Sequence, residues 1–381
     1  MTINRRSIEY LFVLYMFLFA FVKPVIAMIP QYSTVVLFVC AILIFIKRLM
    51  ITTSFNKNYF VIWGISSFLF LIALILGEYF NHYDDTSQYI VNFIIYGIIP
   101  VFLIEGVEDF SKVLYYIHRF SIIATVILIW DPFVEYAMMG EYMTYGLYML
   151  WYSFAGLLLT YYLYEKKYVF PLIVIDVFAL IVYGNKGAAL CGIFLLFLVV
   201  LLKRRLNVVK IVLLILATVA IFSWKSIVIF LVTMLSKWGY SSYSLTTLLI
   251  LVKNTDSIVS TRTNIWKQAF GFFLKNPLGS GVGAFEKVAN GYAHNIELDI
   301  MVMFGIVGIV VFIVMLVWAI FRIAMMKDKQ KRIFLIGCGM CWFIPMQISL
   351  TIWNVMLFWI FWGVLLYDQS QKKGTEYENI N

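Results

Sequence analysis

Long apolar runs separated by short polar segments make up most of this chain. A helix that crosses a bilayer needs roughly 20 mostly apolar residues. The predicted spans cover residues 8–23, 32–46, 59–77, 89–104, 113–130, 146–164, 168–184, 187–202, 207–223, 295–321, 333–350 and 352–367. The sequence therefore predicts an all-α polytopic membrane protein, with about 12 transmembrane helices and one large extracytoplasmic loop between helices 9 and 10.

The predicted spans divide the chain into four parts. Residues 1–223 hold transmembrane helices 1–9, residues 224–294 form the large loop with short interfacial helices, residues 295–367 hold helices 10–12, and residues 368–381 form a cytoplasmic tail. The last two spans could instead form one kinked hairpin that divides near Ser349, Leu350 and Thr351.

The composition supports the membrane class. Hydrophobic residues make up 63% of the chain and charged residues 13%, against roughly 45–50% and about 25% in soluble domains. The net charge of +9 could suggest a nucleic acid partner, but the basic residues lie between apolar spans, where they act as topology signals. Both termini are predicted to be cytoplasmic because this orientation puts most lysines and arginines on the inner side, and no nucleic acid partner is expected.

One segment of the large loop has a helical pattern. From Thr263 to Lys275, apolar side chains recur at helical spacing. Thr261 or Thr263 is expected to cap this helix, and Pro277 follows its end. The helix is predicted to lie on the membrane surface and to display Arg262 at its start.

The polar residues of the loop follow a distinctive order. Arg262 and Trp266 are followed by a glycine-rich turn over residues 277–283, and then by His294–Asn295 at the start of the tenth span. Together with the predicted topology, this order resembles the O-antigen polymerase and ligase superfamily of bacterial membrane glycosyltransferases. The motif resemblance covers about 261–308, and the rest of the chain agrees only in topology.

The resemblance implies a chemical role for three residues. Members of the superfamily act on sugars linked to undecaprenyl diphosphate, and a cation can stabilise that diphosphate as it departs. The resemblance gives this role to Arg262 and to Lys186, which stands where the family usually has arginine. Lysine keeps the charge but lacks the planar fork of arginine. His294 is the candidate general base for an acceptor hydroxyl.

Further candidates would bind the substrates, and neither a metal nor another cofactor is expected. They are Trp266, Gly281, Gly283, Asn295, Glu297 and Asp299. Simpler interpretations stay open from the sequence alone. The glycines could only form a turn and Arg262 could be a solvated charge. Equally, Lys186 could be an interfacial anchor and His294 a helix cap.

The resemblance implies a polysaccharide polymerase that transfers a growing glycan onto a lipid-linked repeat unit and inverts the anomeric centre. An O-antigen ligase, which transfers glycan to a lipid A core or another acceptor, is the alternative, and a lipid-linked sugar flippase or transporter is a third hypothesis. The expected partners are undecaprenyl-diphosphate-linked oligosaccharides and the lipid bilayer, with a chain-length regulator as a further candidate. The expected location is the bacterial plasma membrane, with an extracytoplasmic active site.

Two features inside the spans have both structural and functional interpretations. Cys338 and Cys341 have the spacing of a redox or metal motif, but small apolar packing is the favoured interpretation. Asp176 falls near the middle of the seventh span, where an ionisable group is a functional candidate. A structural partnership with His118 or Arg119 is the other hypothesis.

Overall fold

The computed structural model describes residues 6–27, 33–51, 56–82, 85–134, 142–183, 185–202, 224–239, 246, 249–250 and 257–378. Every regular element within these ranges is helical, which confirms the all-α fold class. The ninth predicted span, residues 207–223, lies outside the described residues.

The helices before residue 203 follow the predicted spans to within a few residues at most ends. They are α1 (Arg6–Ala27), α2 (Ser33–Ile51), α3 (Lys57–Asn81), α4 (Thr86–Ile104), α5 (Phe110–Leu128), α6 (Tyr142–Tyr148), α7 (Ala155–Tyr164), α8 (Phe170–Val182) and α9 (Lys186–Leu202). A π-helical stretch, Phe93–Ile98, interrupts α4, and a second one, Met149–Phe154, joins α6 to α7.

The helices after residue 223 include those that carry the candidate site. They are α10 (Trp224–Lys237), α11 (Ser257–Lys275), α12 (Ala284–Ala289), α13 (Ile296–Ala324), α14 (Lys329–Met346) and α15 (Met356–Glu378). A short 3-10 helix, Ile352–Asn354, lies between α14 and α15.

Four helices in the described part of the chain are long and apolar enough to cross a membrane. They are α3, α4, α5 and α13. Shorter apolar stretches of 10–17 residues lie within α1, α9, α10 and α15, over Ile8–Val22, Gly187–Val199, Val228–Lys237 and Met356–Tyr367. The larger number of spans in the sequence analysis therefore stays a prediction.

The chain divides into two compact units. The first comprises Met1–Leu18, Thr34–Tyr116 and Arg262–Asn381, and the second comprises Phe19–Ser33 and Ile117–Thr261. The first unit contains Arg262, His294 and the glycine-rich turn. The second unit contains Lys186.

Aromatic rings pack at the centre of the first unit. The ring of Trp359 in α15 lies 4.8 Å from that of Phe93 and 5.2 Å from that of Phe70, measured between centroids. Trp353, in the connection between α14 and α15, lies 5.9 Å from Phe93. Such tilted and edge-on pairs contribute about 0.5–1.5 kcal/mol each beyond the area that they bury. The cluster therefore anchors this connection, which forms part of the candidate site.

Helix α13 is broken at Gly305, whose backbone has φ 66° and ψ −158°. The glycine-rich turn provides hydrogen-bond partners at the break. The N–H of Ile306 donates to the carbonyl of Pro277 at 2.8 Å, and the carbonyl of Val302 accepts from the N–H of Ser280 at 3.0 Å. Peptide groups without partners are costly away from water, so the turn and the broken helix stabilise each other.

Close backbone approach requires glycine at two of these positions. A Cβ on Gly279 would lie 2.6 Å from the carbonyl oxygen of Met303, and a Cβ on Gly305 would lie 2.3 Å from the carbonyl carbon of Leu278. The side-chain amide of Asn81, at the end of α3, donates to two carbonyls of the turn at 2.8 and 3.2 Å. The glycines thus form a turn that is packed against two helices.

In the second unit, Asp176 is buried and accepts a hydrogen bond from the Ser153 hydroxyl at 2.6 Å. Ser153 is also hydrogen-bonded to the hydroxyl of Thr125. The hypothesis that His118 pairs with Asp176 is wrong, because both ring nitrogens of His118 bind other groups: Nδ1 is hydrogen-bonded to the Thr160 hydroxyl at 3.0 Å and Nε2 to the Tyr168 hydroxyl at 2.6 Å. The Ser153 hydroxyl binds Oδ2 of Asp176, whereas Oδ1 is buried and has no hydrogen-bond partner among the described residues.

The cysteine pair has the environment of packed apolar side chains. Cys338 and Cys341 are buried free thiols, and the thiol of Cys338 donates to the carbonyl of Leu357 at 3.2 Å. Within the described ranges, no group of three His, Cys, Asp or Glu residues is placed to hold a metal ion.

Candidate functional site

Arg262 lies in the second turn of α11, which begins at Ser257. The predicted start of this helix is wrong, because Thr261 and Thr263 both lie inside it. No glycine or proline separates Ser257 from Thr261, so the sequence contains no residue that would end the helix there. Arg262 is therefore held on a rigid helical backbone.

The guanidinium of Arg262 reaches the connection between α14 and α15. Its Nη1 donates to the backbone carbonyl of Ile348 at 2.6 Å, in a partly buried position. A charged donor forms a stronger hydrogen bond than a neutral one, and this bond uses one of the five N–H donors of a guanidinium. Arg262 is thus a fixed cation and differs from a freely solvated surface charge.

The segment between α12 and α13 carries His294 in a left-handed backbone conformation with φ 56°. The imidazole lies against the ring of Tyr292, with 4.1 Å between centroids and an interplanar angle of 47°. A positive φ is uncommon for residues other than glycine, and such conformations persist where the surrounding structure holds them. The ring contact and the following helix hold His294 in this orientation.

Tyr292 also binds the connection that Arg262 reaches. Its hydroxyl accepts the backbone N–H of Leu350 at 3.1 Å and is hydrogen-bonded to the Ser349 hydroxyl at 3.0 Å. Leu350 itself has a left-handed backbone, with φ 71°. The Tyr292 and Arg262 side chains therefore bring residues 348–350 beside His294.

The charge of Arg262 acts on His294. Burial lowers the pKa of His294, and the positive charge of Arg262 lowers it further. An unperturbed histidine, with a pKa near 6.5, is already mostly neutral at pH 7, so His294 is neutral there and can accept a proton. Among the described residues, no group forms a hydrogen bond with its buried Nδ1.

Three polar side chains form a hydrogen-bonded row that begins at Asn295, the residue after His294. The Nε2 of Gln347 donates to Oε1 of Glu297 at 2.9 Å, and the Nδ2 of Asn295 donates to Oε1 of Gln347 at 3.4 Å. Asn295 also caps α13, because its Oδ1 accepts the N–H of Leu298 at 3.0 Å. The hypothesis that His294 is the helix cap is therefore wrong.

Asp299 supports the His294 segment from within α13. Its Oδ1 accepts the backbone N–H of Ala293 at 2.9 Å, and only 1% of the residue is exposed. Glu286 of α12 is also buried, and this burial raises its pKa to about 7. In this conformation Asp299 binds the backbone next to His294 and is closed to a bulky ligand.

The remaining predicted binding residues of the first unit have different environments. Gly281 and Gly283 have φ of 79° and 82°; the N–H of Gly281 donates to the Met303 carbonyl at 3.0 Å, and Gly283 precedes α12. Trp266 is half-buried, one turn after Arg262. Within the described ranges its indole N–H has no hydrogen-bond partner.

Lys186 is the first residue of α9, and its side chain lies outside the described residues. The residue before it fixes the start of this helix. The Oδ1 of Asn185 accepts the N–H of Ala188 at 2.8 Å, and its Nδ2 donates to the Met143 carbonyl at 2.7 Å. The backbone of Lys186 is therefore held at a capped helix N-terminus within the second unit.

Sequence reasoning missed three residues of the site, which are Tyr292, Gln347 and Ser349. Their contacts join positions separated by 50 and 57 residues in the chain, and no local pattern reports such contacts. A usable signal was present, because polar residues interrupt the apolar run between α14 and α15. By itself, that interruption predicts only a break between spans.

The fold and this site define a helical membrane protein that holds a fixed cation near a neutral base. Residues 171–313 match the family model described as O-antigen ligase. This match supports the assignment of the chain to the O-antigen polymerase and ligase superfamily, as the sequence motifs predicted. It includes Lys186, Arg262 and His294 but ends before the connection between α14 and α15. No curated protein matches the chain.

Proposed function

We propose that this protein is a polysaccharide polymerase. It transfers a growing glycan from undecaprenyl diphosphate to a lipid-linked repeat unit at the outer face of the bacterial plasma membrane. The observation that supports this function is the placement of Arg262 and His294 in one site, where the charge of the first lowers the pKa of the second. A diphosphate leaving group requires a cation, and an acceptor hydroxyl requires a base.

The proposed reaction is a single displacement. The imidazole of His294 takes the proton of the acceptor hydroxyl, and the hydroxyl oxygen forms a bond to the anomeric carbon of the donor. The bond between that carbon and the diphosphate oxygen breaks, and the electron pair leaves with undecaprenyl diphosphate. Attack from the face opposite to the leaving group inverts the anomeric centre.

Arg262 stabilises the charge that develops on the departing diphosphate. Its guanidinium is already oriented by the bond to Ile348, so little reorganisation is needed when the substrate binds. Lys186 is proposed as a further cation that binds substrate phosphate. With these cations as the counter-charge, the proposed reaction needs no metal ion.

The proposed topology follows from the substrates. Both termini are cytoplasmic, and the site opens on the extracytoplasmic side, where the lipid-linked repeat units are displayed. The charge distribution between the predicted spans supports this orientation. A chain-length regulator is a proposed partner, because growth of the glycan must end.

The ligase reaction is the second candidate because the matching family model is described as O-antigen ligase. A ligase would use the same donor and the same two groups, Arg262 and His294. The two reactions would differ only in the acceptor, which for a ligase is a lipid A core or another glycan acceptor. The donor half of the mechanism is therefore common to both candidates.

The test is a transfer assay with purified protein in detergent and a synthetic lipid-diphosphate-linked repeat unit. The polymerase predicts a ladder of longer lipid-linked glycans and release of undecaprenyl diphosphate, both unchanged when a chelator is present. Transfer only to an added lipid A core would establish the ligase instead. Movement of the lipid-linked sugar across a vesicle membrane without any transfer would contradict both and indicate a flippase.

A further inference from the structure

Gln347 joins the two sides of the site that carry opposite charge. Through its backbone it is adjacent to Ile348, whose carbonyl accepts from Arg262 at 2.6 Å. Through its side chain it binds the carboxylate of Glu297 at 2.9 Å. One residue of the connection between α14 and α15 thus separates a cationic region from an anionic one.

The charges determine which substrate each region can accept. A diphosphate is attracted to Arg262 and repelled by Glu297. An uncharged sugar is not repelled by a carboxylate, and its hydroxyl groups can donate to it. The region around Glu297 and Gln347 therefore suits a neutral hydroxylated ligand.

The hydrogen-bonding capacity of this region is only partly used. Among the described residues, nothing bonds to Oε2 of Glu297 or to Nδ1 of His294, although both atoms are buried. The Gln347 amide has a second N–H beyond the one that binds Glu297. A carboxylate oxygen beside an amide N–H can bind two neighbouring sugar hydroxyls, because each hydroxyl both donates and accepts.

We propose that Gln347, with Glu297 and Asn295, forms a subsite that binds the hydroxyl groups of the terminal acceptor sugar and orients the reacting hydroxyl toward His294. This subsite rests on the proposed function, since it needs an acceptor glycan. Gln347 is its specificity-determining residue, because its amide holds Glu297 and also offers a donor to the sugar. The donor diphosphate stays on the side of Arg262.

The test compares Gln347→Met, which keeps the side-chain length and removes the amide, with Gln268→Met on the exposed face of α11 as the matched control. For Gln347→Met, the KM for a single lipid-linked repeat unit should rise about tenfold, because one to two hydrogen bonds are lost. The KM for a longer lipid-linked glycan donor should stay within about twofold. Gln268→Met should leave both values at the wild-type level.

An acceptor analogue gives a second measurement. Removal of the hydroxyl next to the reacting one should weaken acceptor use by wild-type protein about tenfold and should add no further loss in Gln347→Met. If Gln347→Met does not fold, Glu297→Gln, which keeps the shape of the side chain, should show the same rise in acceptor KM.

Three results would overturn the subsite. An unchanged acceptor KM in a folded Gln347→Met protein would exclude this residue from acceptor binding. An equal rise in both KM values would indicate a general structural effect. Wild-type protein that transfers no glycan would overturn the proposed function, and the subsite with it, whereas the first two results leave the proposed function in place.

Discussion

Two polar segments of the first unit use left-handed backbone in opposite ways. In the glycine-rich turn, the left-handed residues include Gly279, Gly281 and Gly283, with φ of 90°, 79° and 82°. Around the candidate site, the left-handed residues His294 and Leu350 carry full side chains, with φ of 56° and 71°. The first segment avoids strain by using glycine, whereas the second retains it.

The difference follows from what each segment contacts. The turn bonds through its backbone to the broken helix α13, and Gly305 at that break has no room for a Cβ. The site segment makes its contacts through side chains, as Tyr292 and Arg262 do. Backbone strain in residues with side chains is often concentrated at functional sites. The turn is thus a packing element, and the site segment is where chemistry is expected.

The largest expected effect comes from a substitution that disrupts the packing of the glycine-rich turn against α13. Gly305→Ala places a Cβ 2.3 Å from backbone atoms of the turn, so the turn must move, at a cost of about 3 kcal/mol or more. We expect most of the folded, detergent-soluble protein to be lost, as measured by size-exclusion chromatography of tagged protein.

The matched control for that variant is Gly271→Ala in α11, where a Cβ would meet nothing within 4 Å. Alanine in a helix is more favourable than glycine by about 0.5–1 kcal/mol, so this variant should fold at least as well as wild type. Equal yields for Gly305→Ala and Gly271→Ala would show that folding does not require the close approach between the backbone at Gly305 and the backbone of the turn.

The helices and the first site residues were predictable because their signals are local. The spans over 59–77 and 295–321 correspond to α3 and α13, since a long apolar run directly predicts a helix that can cross a membrane. Arg262 and His294 were found from motif order. The contact of Arg262 with Ile348 joins residues 86 positions apart, and the break at Gly305 lies inside an apolar run. Neither leaves a periodic signal, because both depend on which elements meet in three dimensions.

A smaller expected effect is a change of folding stability with pH, caused by the buried carboxyl of Glu286. Burial raises the pKa of Glu286 to about 7 from 4.5, so the folded state binds a proton that the unfolded state has already released. The contribution of the neutral Glu286 carboxyl to folding stability is therefore complete below pH 4.5. It is lost as the pH rises from 4.5 to about 7, and stability from this group does not change further at higher pH. The total change is at most about 3 kcal/mol.

Glu286→Gln removes this titration. Its unfolding temperature should change less between pH 5 and pH 8 than that of wild type, as measured by differential scanning fluorimetry in detergent. Parallel profiles for the two proteins would show that the Glu286 carboxyl is solvated and ionised in the folded state and is not a neutral buried acid.

The smallest expected effect concerns Tyr292, which connects the His294 segment to residues 348–350. Tyr292→Phe keeps the ring against His294 but removes the bonds to Ser349 and Leu350, at a cost of about 1 kcal/mol. We expect the unfolding temperature to fall by a few degrees and kcat for glycan transfer to fall about tenfold. Tyr79→Phe, at an exposed position of α3, is the control and should behave as wild type. Wild-type kcat in Tyr292→Phe would show that residues 348–350 do not position the site.

The most direct test of the central claim compares two left-handed histidines. His294 and the exposed His82 have φ of 56° and 50°, and asparagine tolerates this conformation. We predict that His294→Asn lowers the rate of glycan elongation about 10²- to 10⁴-fold with an unchanged unfolding temperature, while His82→Asn elongates normally. Elongation by folded His294→Asn at the wild-type rate would contradict the assignment of His294 as the base.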